Sequence, residues 1–579
     1  MVQDKIYDVV ICGSGMAGLA LARQLKMKNR DMAVLLLDKT TRPLPEAAFK
    51  VGESSVEVGI YYYSHVLQLG NYLEKNHLPK LGLRYFYNGP RDDLSKRAEM
   101  GVADWPPSRT YQIDRGKLEN DLRLLILQDE VELKEGVAVQ DILLQEDCQP
   151  HQVLYQEGDG GEVKAVKTRW VVDASGRRRL LQRKLNLSKK VSSACSASWF
   201  RLVGELRIDD LVPKSNLDWH QRAKQSRWFS TDHLMGDGYW VWVIPLPTGN
   251  TSIGIVTTED CHPFETYNTY EKSLAWLRQH EPLLGEFIEK SEVLDFRTMR
   301  HYSYSSHQVY SEKRWACVGE AGVFVDPYYS VGINMIAFGN GITTKLIELD
   351  RNNALEKEFV DHANRFYLSL SQALTYNIQT AYPFYGNGPL MSLKTIWDFC
   401  IGWGIADPQF YYETYLDVKL SNLVSDLINR VVITQARIIA LFTTWSQKPV
   451  ESMGFEFDYI DYLDDLPTVR HIYHLNLPDQ RKSRADILKH FKHTMDRIEE
   501  LAQIIFFMAV EDTMPDKLAL FEGQRWINTC AMSLNPDHWE EDGLFKPQTR
   551  PRDYKAFDDE IRRLYRFKNA VPAGEALAV

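Results

Sequence analysis

The feature that most constrains this chain is the segment Gly13-Ser14-Gly15-Met16-Ala17-Gly18, set between the apolar run Ile6 to Cys12 and the helix-forming run Leu19 to Lys28. Strand, glycine turn and helix in that order make a phosphate cradle. The first glycine permits the tight turn, the second lets a pyrophosphate approach the backbone, and the third lets helix and strand pack closely. A second apolar run, Ala33 to Leu37, ends in Asp38 with Lys39 beside it. It lies about twenty residues after the glycines, where an acid accepts hydrogen bonds from an adenosine ribose. The spacing predicts a Rossmann-like βαβ unit and an α/β fold, without separating NAD from FAD.

At 579 residues the chain exceeds what one compact core organises. Its 44% hydrophobic and 25% charged residues are those of an ordinary globular protein. A net charge of -10 with no Lys/Arg stripe leaves no footprint for nucleic acid. The seven cysteines (Cys12, Cys148, Cys195, Cys261, Cys317, Cys400 and Cys530) lie far apart, and no His cluster accompanies them. Neither a disulfide framework nor a metal site is expected, and a cytoplasmic location fits. No signal peptide is read at the N-terminus. The apolar stretch Val431 to Trp445, interrupted by Gln435 and Arg437, falls short of the roughly 20 residues that span a bilayer, so no transmembrane segment is expected.

Two further strands, Trp170 to Val172 and Trp315 to Val318, run into Asp173-Ala174-Ser175-Gly176 and Gly319-Glu320, like parallel strands ending at a ligand edge. Alternating segments near Ser198 to Ile208, Tyr239 to Ile244 and Thr251 to Val256 predict an antiparallel sheet inserted into the nucleotide fold. The expected division is a nucleotide-binding domain over 1–345, with a substrate-side sheet from about 46–109 and 191–299. A mainly helical region, 346–579, follows and closes the substrate pocket; it contains Leu420 to Phe442 and Arg484 to Val510, and its tail from Ala570 is expected to fray.

Later segments decide the cofactor by resemblance. Gly319-Glu320-Ala321-Gly322 with Asp326-Pro327 resembles the second flavin motif of para-hydroxybenzoate hydroxylase-type monooxygenases, normally Gly-Asp, with Glu320 longer by a methylene. Asp114-Arg115-Gly116 resembles the Arg-containing helix start bordering the flavin, and Gly136 to Val139 the strand that passes the adenine. Trp240-Val241-Trp242-Val243-Ile244-Pro245 reproduces the W-x-W-x-I-P pattern of flavin-dependent halogenases. Gly52-Glu53-Ser54 and the loop Asp326 to Asn334 resemble two further segments of that family.

The resemblance spans about the first 345 residues and implies FAD as cofactor. The implied flavin contacts are Gly13 through Gly18, Asp38, Lys39, Glu53, Ser54, Arg115, Val139, Gly319, Glu320, Asp326, Gly332, Ile333 and Asn334. It also implies chloride or bromide held by the backbone N–H groups of Val331 and Gly332, with Trp240, Trp242, Tyr329 and Ser330 on the substrate side. In the family, reduced FAD and O2 convert the halide to hypohalous acid, which a lysine directs to an aromatic or carrier-protein-bound substrate. A separate NAD(P)H flavin reductase is the implied partner, since no second nucleotide fingerprint is present.

That lysine follows the G-E-S segment at a distance that falls on Leu81-Gly82-Leu83-Arg84-Tyr85-Phe86, and Arg84 is the best match. An arginine stays charged and cannot shuttle a proton near neutral pH. Two alternatives stay open: Lys80, which strand alternation places on the face of Gly82 and Arg84, and Lys50, beside the flavin-side segment. Tyr329 stands where tryptophan halogenases carry a glutamate, which argues against tryptophan as substrate. Three functions fit: a halogenase, a monooxygenase or dehydrogenase of the same fold that ignores halide, and a silent flavoprotein whose aromatic C-terminal region recruits a partner.

Overall fold

The computed structural model describes residues 5–568 except 46–49, 90–92, 147–148, 159, 192–194, 479–481 and 524. Cys148 and the tail from Ala570 lie outside the described residues. The nucleotide sheet carries the parallel order Trp315–Cys317, Val163–Asp173, Ile6–Cys12, Val34–Leu37, Glu132–Lys134, with Tyr310–Ser311 antiparallel at one edge. Val9, Val10 and Ile11 have no exposure, and Val34 to Leu37 are buried throughout. Strands buried on both faces read as continuous apolar runs, as this pair does. Val137–Leu143 and His151–Glu157 form an antiparallel extension onto Val163–Asp173.

The second sheet has the order Val293–Met299, Cys195–Leu202, Thr251–Thr258, Tyr239–Pro245, Thr231–Gly236, Leu83–Phe86, Glu99–Gly101, Tyr459–Asp461. Its first five strands pair antiparallel. The expected strand from Ser198 to Ile208 ends instead at Leu202, and Ile208 opens a short 3₁₀ turn. Two pairings are parallel, Thr231–Gly236 with Leu83–Phe86 and Tyr459–Asp461 with Glu99–Gly101. The last strand comes from the region expected to be helical, so that region completes the sheet.

After the helix Gly332–Arg351, the rest of the chain is built largely of helices, among them Lys357–Gln379, Gly388–Ile401, Val418–Trp445 and Arg484–Thr513. Val418–Trp445, at 28 residues, is long and apolar enough by length and composition to cross a bilayer, a correction to the shorter reading of this stretch. In the structure one side of it, including Leu420, Val424, Val431, Ile438 and Phe442, is buried.

Candidate flavin and substrate site

A cavity of about 630 Å³ opens at the carboxyl ends of the nucleotide strands and extends beneath the second sheet. Its near wall is the glycine turn. Gly13 has φ +118°, and a Cβ there would lie 2.4 Å from the Ala174 carbonyl oxygen. A Cβ on Gly18 would lie 2.1 Å from the Gly13 oxygen, whereas one on Gly15 would meet nothing within 4 Å and would fill the cavity instead. Asp38 fastens the turn by accepting from Ser14 N at 2.6 Å and from Thr40 N at 2.7 Å. The following helix, Met16–Lys28, has no side-chain cap, which leaves its first N–H groups for a ligand.

A flavin dinucleotide fits these residues. Gly13, Gly15, Met16, Ala17, Asp38, Lys39 and Val139 line one end of the cavity, and Glu53, Ser54, Arg115, Gly319, Glu320, Gly332 and Ile333 line the rest. Ser14 Oγ and Arg115 Nε are buried without a hydrogen-bond partner, as groups shaped for a polar ligand are. Arg115 is otherwise held by Val51 O and by Glu119. Gly15→Ala is accordingly expected to leave the apoprotein's melting temperature unchanged while weakening FAD binding about tenfold or more. Gly18→Ala is expected instead to cost the fold about 1–3 kcal/mol through overpacking. Flavin titration beside thermal melting separates the two.

Three residues expected at the flavin do other work. Asp326 is fully buried and accepts from Tyr302 Oη at 2.6 Å, from Tyr382 Oη at 2.8 Å and from its own loop at Tyr328 N. Burial pushes its carboxyl up to about 6 against those three hydrogen bonds. It organises the loop and lies outside the cavity lining. Asn334 accepts from Gly59 N at 2.9 Å and ties the segment after Ser55 to the helix Gly332–Arg351. Glu53 does line the cavity, but its carboxylate is held by Arg201 at 2.6 Å, which also pairs with Asp295 at 3.0 Å.

Under the second sheet, Trp240 and Trp242 share a face and both line the cavity, their ring centroids 5.7 Å apart. Their indole N–H groups donate to Tyr382 Oη and Ser252 Oγ, so the ladder is fixed. His233, which the sequence did not single out, lines the same wall and stacks on Tyr85 at 4.8 Å. Burial lowers its pKa to about 4, so the imidazole is neutral near pH 7. Tyr329 lies outside this cavity: its hydroxyl donates to Asp398 at 2.6 Å, and Asp398 also takes Lys394 at 2.5 Å.

The three cationic candidates are separated. Gly82, at φ +115°, breaks the strand alternation, so Leu78–Lys80 and Leu83–Phe86 belong to different sheets. Lys80 and Arg84 therefore do not share a face. Arg84 points away from the flavin cavity: its guanidinium, fully buried, pairs with Glu99 and donates to Val102 O and to Ser230 Oγ. Glu99 is shared with Arg227 at 2.8 Å, which makes Arg84 part of an internal ionic network. Lys50 is on the cavity wall, half exposed, and is paired with Glu119.

Lys80 is 1% exposed and donates to Ser54 Oγ at 2.8 Å and to Ser55 O at 2.7 Å. Ser54 Oγ in turn accepts from Ser330 Oγ at 3.0 Å and contacts Thr231 Oγ1 at 2.7 Å. Ser54, Ser330 and Thr231 all line the flavin cavity, so a hydroxyl chain joins that cavity to a buried amine. Burial lowers the Lys80 pKa to about 7, opposed by the nearby Glu57 carboxylate. Beside Ser330, the helix Gly332–Arg351 begins with Val331 as its cap. A Cβ on Gly332 would meet nothing within 4 Å, so the helix start, where backbone N–H groups favour anions, is open to the cavity. Val331 itself is not among the lining residues.

No family model matches the chain. It is 27% identical over 441 residues to the flavin-dependent halogenase chlA of Dictyostelium discoideum, covering 71% of this chain and 72% of that protein. It is also 27% identical over 386 residues to the 1H-pyrrole-2-carbonyl-[peptidyl-carrier protein] chlorinase of Pseudomonas fluorescens, covering 62% of this chain and 80% of that one. The crystal structure of halogenase PltM in complex with phloroglucinol and FAD shares the fold with TM-score 0.60 at 18% identity, over 90% of this chain and 99% of that one.

Proposed function

We infer that this chain, a homologue of the flavin-dependent halogenases with their fold, is an FAD-dependent oxidoreductase that transfers an oxidised halide to an electron-rich aromatic substrate through Lys80. Bound and reduced, FAD supplies with O2 the two-electron oxidation that turns halide into hypohalous acid. The rest is the work of the chain. The glycine turn and Asp38 would hold the dinucleotide end, and Arg115 and Glu320 would border the flavin. The open helix start at Val331 and Gly332 offers backbone donors to chloride or bromide.

The observation that carries the reading is the Ser330–Ser54–Lys80 hydroxyl-to-amine chain leading from the flavin cavity to a buried lysine. An ammonium there donates a hydrogen bond to the oxygen of hypohalous acid and polarises the oxygen–halogen bond. As the halogen bonds to the aromatic carbon, the departing hydroxide takes the Lys80 proton and leaves as water. The free amine then accepts the proton that the ring releases, which regenerates the ammonium. A pKa near 7 suits both halves of this exchange. An arginine could donate the hydrogen bond but would not give up its proton. Trp240 and Trp242 form a fixed wall that keeps substrate from the flavin.

The aromatic is carrier-bound, as in the name of the Pseudomonas fluorescens relative, or free, like the phloroglucinol bound to the structural neighbour, and a separate NAD(P)H reductase supplies reduced flavin. The test mixes reduced, FAD-loaded protein with oxygenated buffer, with and without bromide, and traps hypohalite chemically. Bromide-dependent hypohalite is the expected result. Flavin reoxidation that ignores bromide and yields no hypohalite would replace this reading with a halide-independent monooxygenase or dehydrogenase.

A further inference from the structure

The loop from Asp326 to Val331 brings Ser330 and the open helix start to the flavin cavity in a shape that its own bonds do not impose. Ser330 has φ +57°, a left-handed conformation that a serine adopts rarely and keeps only where its surroundings over-determine it. Within the loop, Ser330 N donates to Pro327 O at 2.8 Å and Tyr328 N to Asp326 Oδ1 at 3.0 Å. These bonds close a turn without fixing where the turn sits. The residues that fix it come from 56 and 69 positions downstream.

Tyr382 Oη donates to Asp326 at 2.8 Å and accepts from Trp240 Nε1 at 3.0 Å. Its carbonyl accepts from Gly238 N at 3.0 Å, just ahead of the strand Tyr239–Pro245. One residue therefore holds both the start of the loop and the tryptophan wall. Three positions on, Tyr385 stacks on Tyr328 with ring centroids 4.7 Å apart. At the far end of the loop the direction reverses: Tyr329 Oη donates outward at 2.6 Å to Asp398, which is paired with Lys394 on the same helix, Gly388–Ile401. Tyr328, Tyr382 and Tyr385 are at most 1% exposed, so bulk water does not replace a lost bond here. Hydroxyl-to-carboxylate bonds are also of the stronger, charge-assisted kind.

We propose that Tyr382 and Asp398 are positioning residues for the anion site, clamping the loop at its two ends so that Ser330 keeps its left-handed turn and the helix start faces the cavity. The proposal rests on the halide-binding role given above to Val331 and Gly332. The pull of a helix start on an anion fades within the first turn. A loop that relaxes at Ser330 and swings these N–H groups aside therefore loses halide affinity while the flavin pocket stays whole. A purely structural role would lower stability and leave anion affinity where it was.

The experiment titrates the oxidised, FAD-loaded full chain with sodium bromide at constant ionic strength and follows the flavin absorbance. Tyr382→Phe and Tyr329→Phe each delete one hydroxyl and keep the ring. Each is expected to raise the bromide dissociation constant about tenfold with FAD content unchanged. Tyr565→Phe is the control, since its buried hydroxyl bonds Ser392 Oγ at 2.9 Å on the helix that carries Asp398. It is expected to lower the melting temperature and leave bromide affinity within about twofold. If one of the two loop variants fails to load FAD, the other decides. Unchanged bromide affinity in a loaded loop variant, or an equal loss in Tyr565→Phe, overturns the proposal. A protein that binds bromide through both hydroxyls yet releases no hypohalite loses the halogenase reading alone. Hypohalite release with bromide affinity indifferent to both hydroxyls removes this proposal alone, and an unmodified protein that binds no bromide removes both.

Discussion

Lys80→Met is expected to lower aromatic halogenation by about 10²–10⁴-fold, the usual worth of a positioned proton donor and acceptor, with FAD still bound and hypohalite escaping into solution. Methionine keeps the length and apolar body of the side chain but offers Ser54 Oγ and Ser55 O no donor. Lys80→Arg is expected to fail as well, since a guanidinium does not release its proton near neutral pH. The unmodified enzyme supplies an independent check through pH. Burial depresses the Lys80 pKa to about 7, so the ammonium dominates below that value and is lost above it. The halogenation rate is therefore expected to fall as pH rises through about 7, and this dependence to vanish in Lys80→Met. A rate that climbs through the same interval would assign the attack to the free amine.

The parts of this molecule written in local sequence were readable in advance, and those made by long-range contact were not. Gly13 to Gly18 with Asp38 is such a local device, because one turn must satisfy strand, helix and phosphates at once. The Trp240–Trp242 alternation likewise survives because the strand from Tyr239 to Pro245 is unbroken. Lys80 and Arg84 were placed on one face because period-two reasoning was carried across Gly82, whose φ of +115° ends one strand and starts another in a different sheet. A glycine inside an alternating run was the available warning. Asp326 was misassigned because its partners Tyr302 and Tyr382 lie 24 and 56 residues away. No local pattern announces such contacts.

Arg84→Met separates the two cations by the opposite signature. Breaking a buried ion pair from one side costs about 3–5 kcal/mol, because the remaining charge stays desolvated. Here Glu99 keeps Arg227, with contacts of 2.8 and 3.1 Å, which places the expected loss near the lower end of that range. Other costs push it up. Val102 O and Ser230 Oγ lose a donor, and Gly101 loses the guanidinium that would sit 2.7 Å from a Cβ there. Asp232, aligned with Arg84 across the parallel strands, already has a buried Oδ1 without a partner. Burial raises its pKa well above the carboxylate range while Arg84 opposes the rise, so removing the guanidinium drives Asp232 further toward its neutral form. The variant is expected to melt at a clearly lower temperature while each FAD-loaded molecule halogenates near the original rate, since no atom of Arg84 belongs to the cavity lining or to the Ser330–Ser54–Lys80 chain. Thermal melting beside activity normalised to bound flavin decides it. Lost halogenation at an unchanged melting temperature would return the catalytic role to Arg84 and remove it from Lys80.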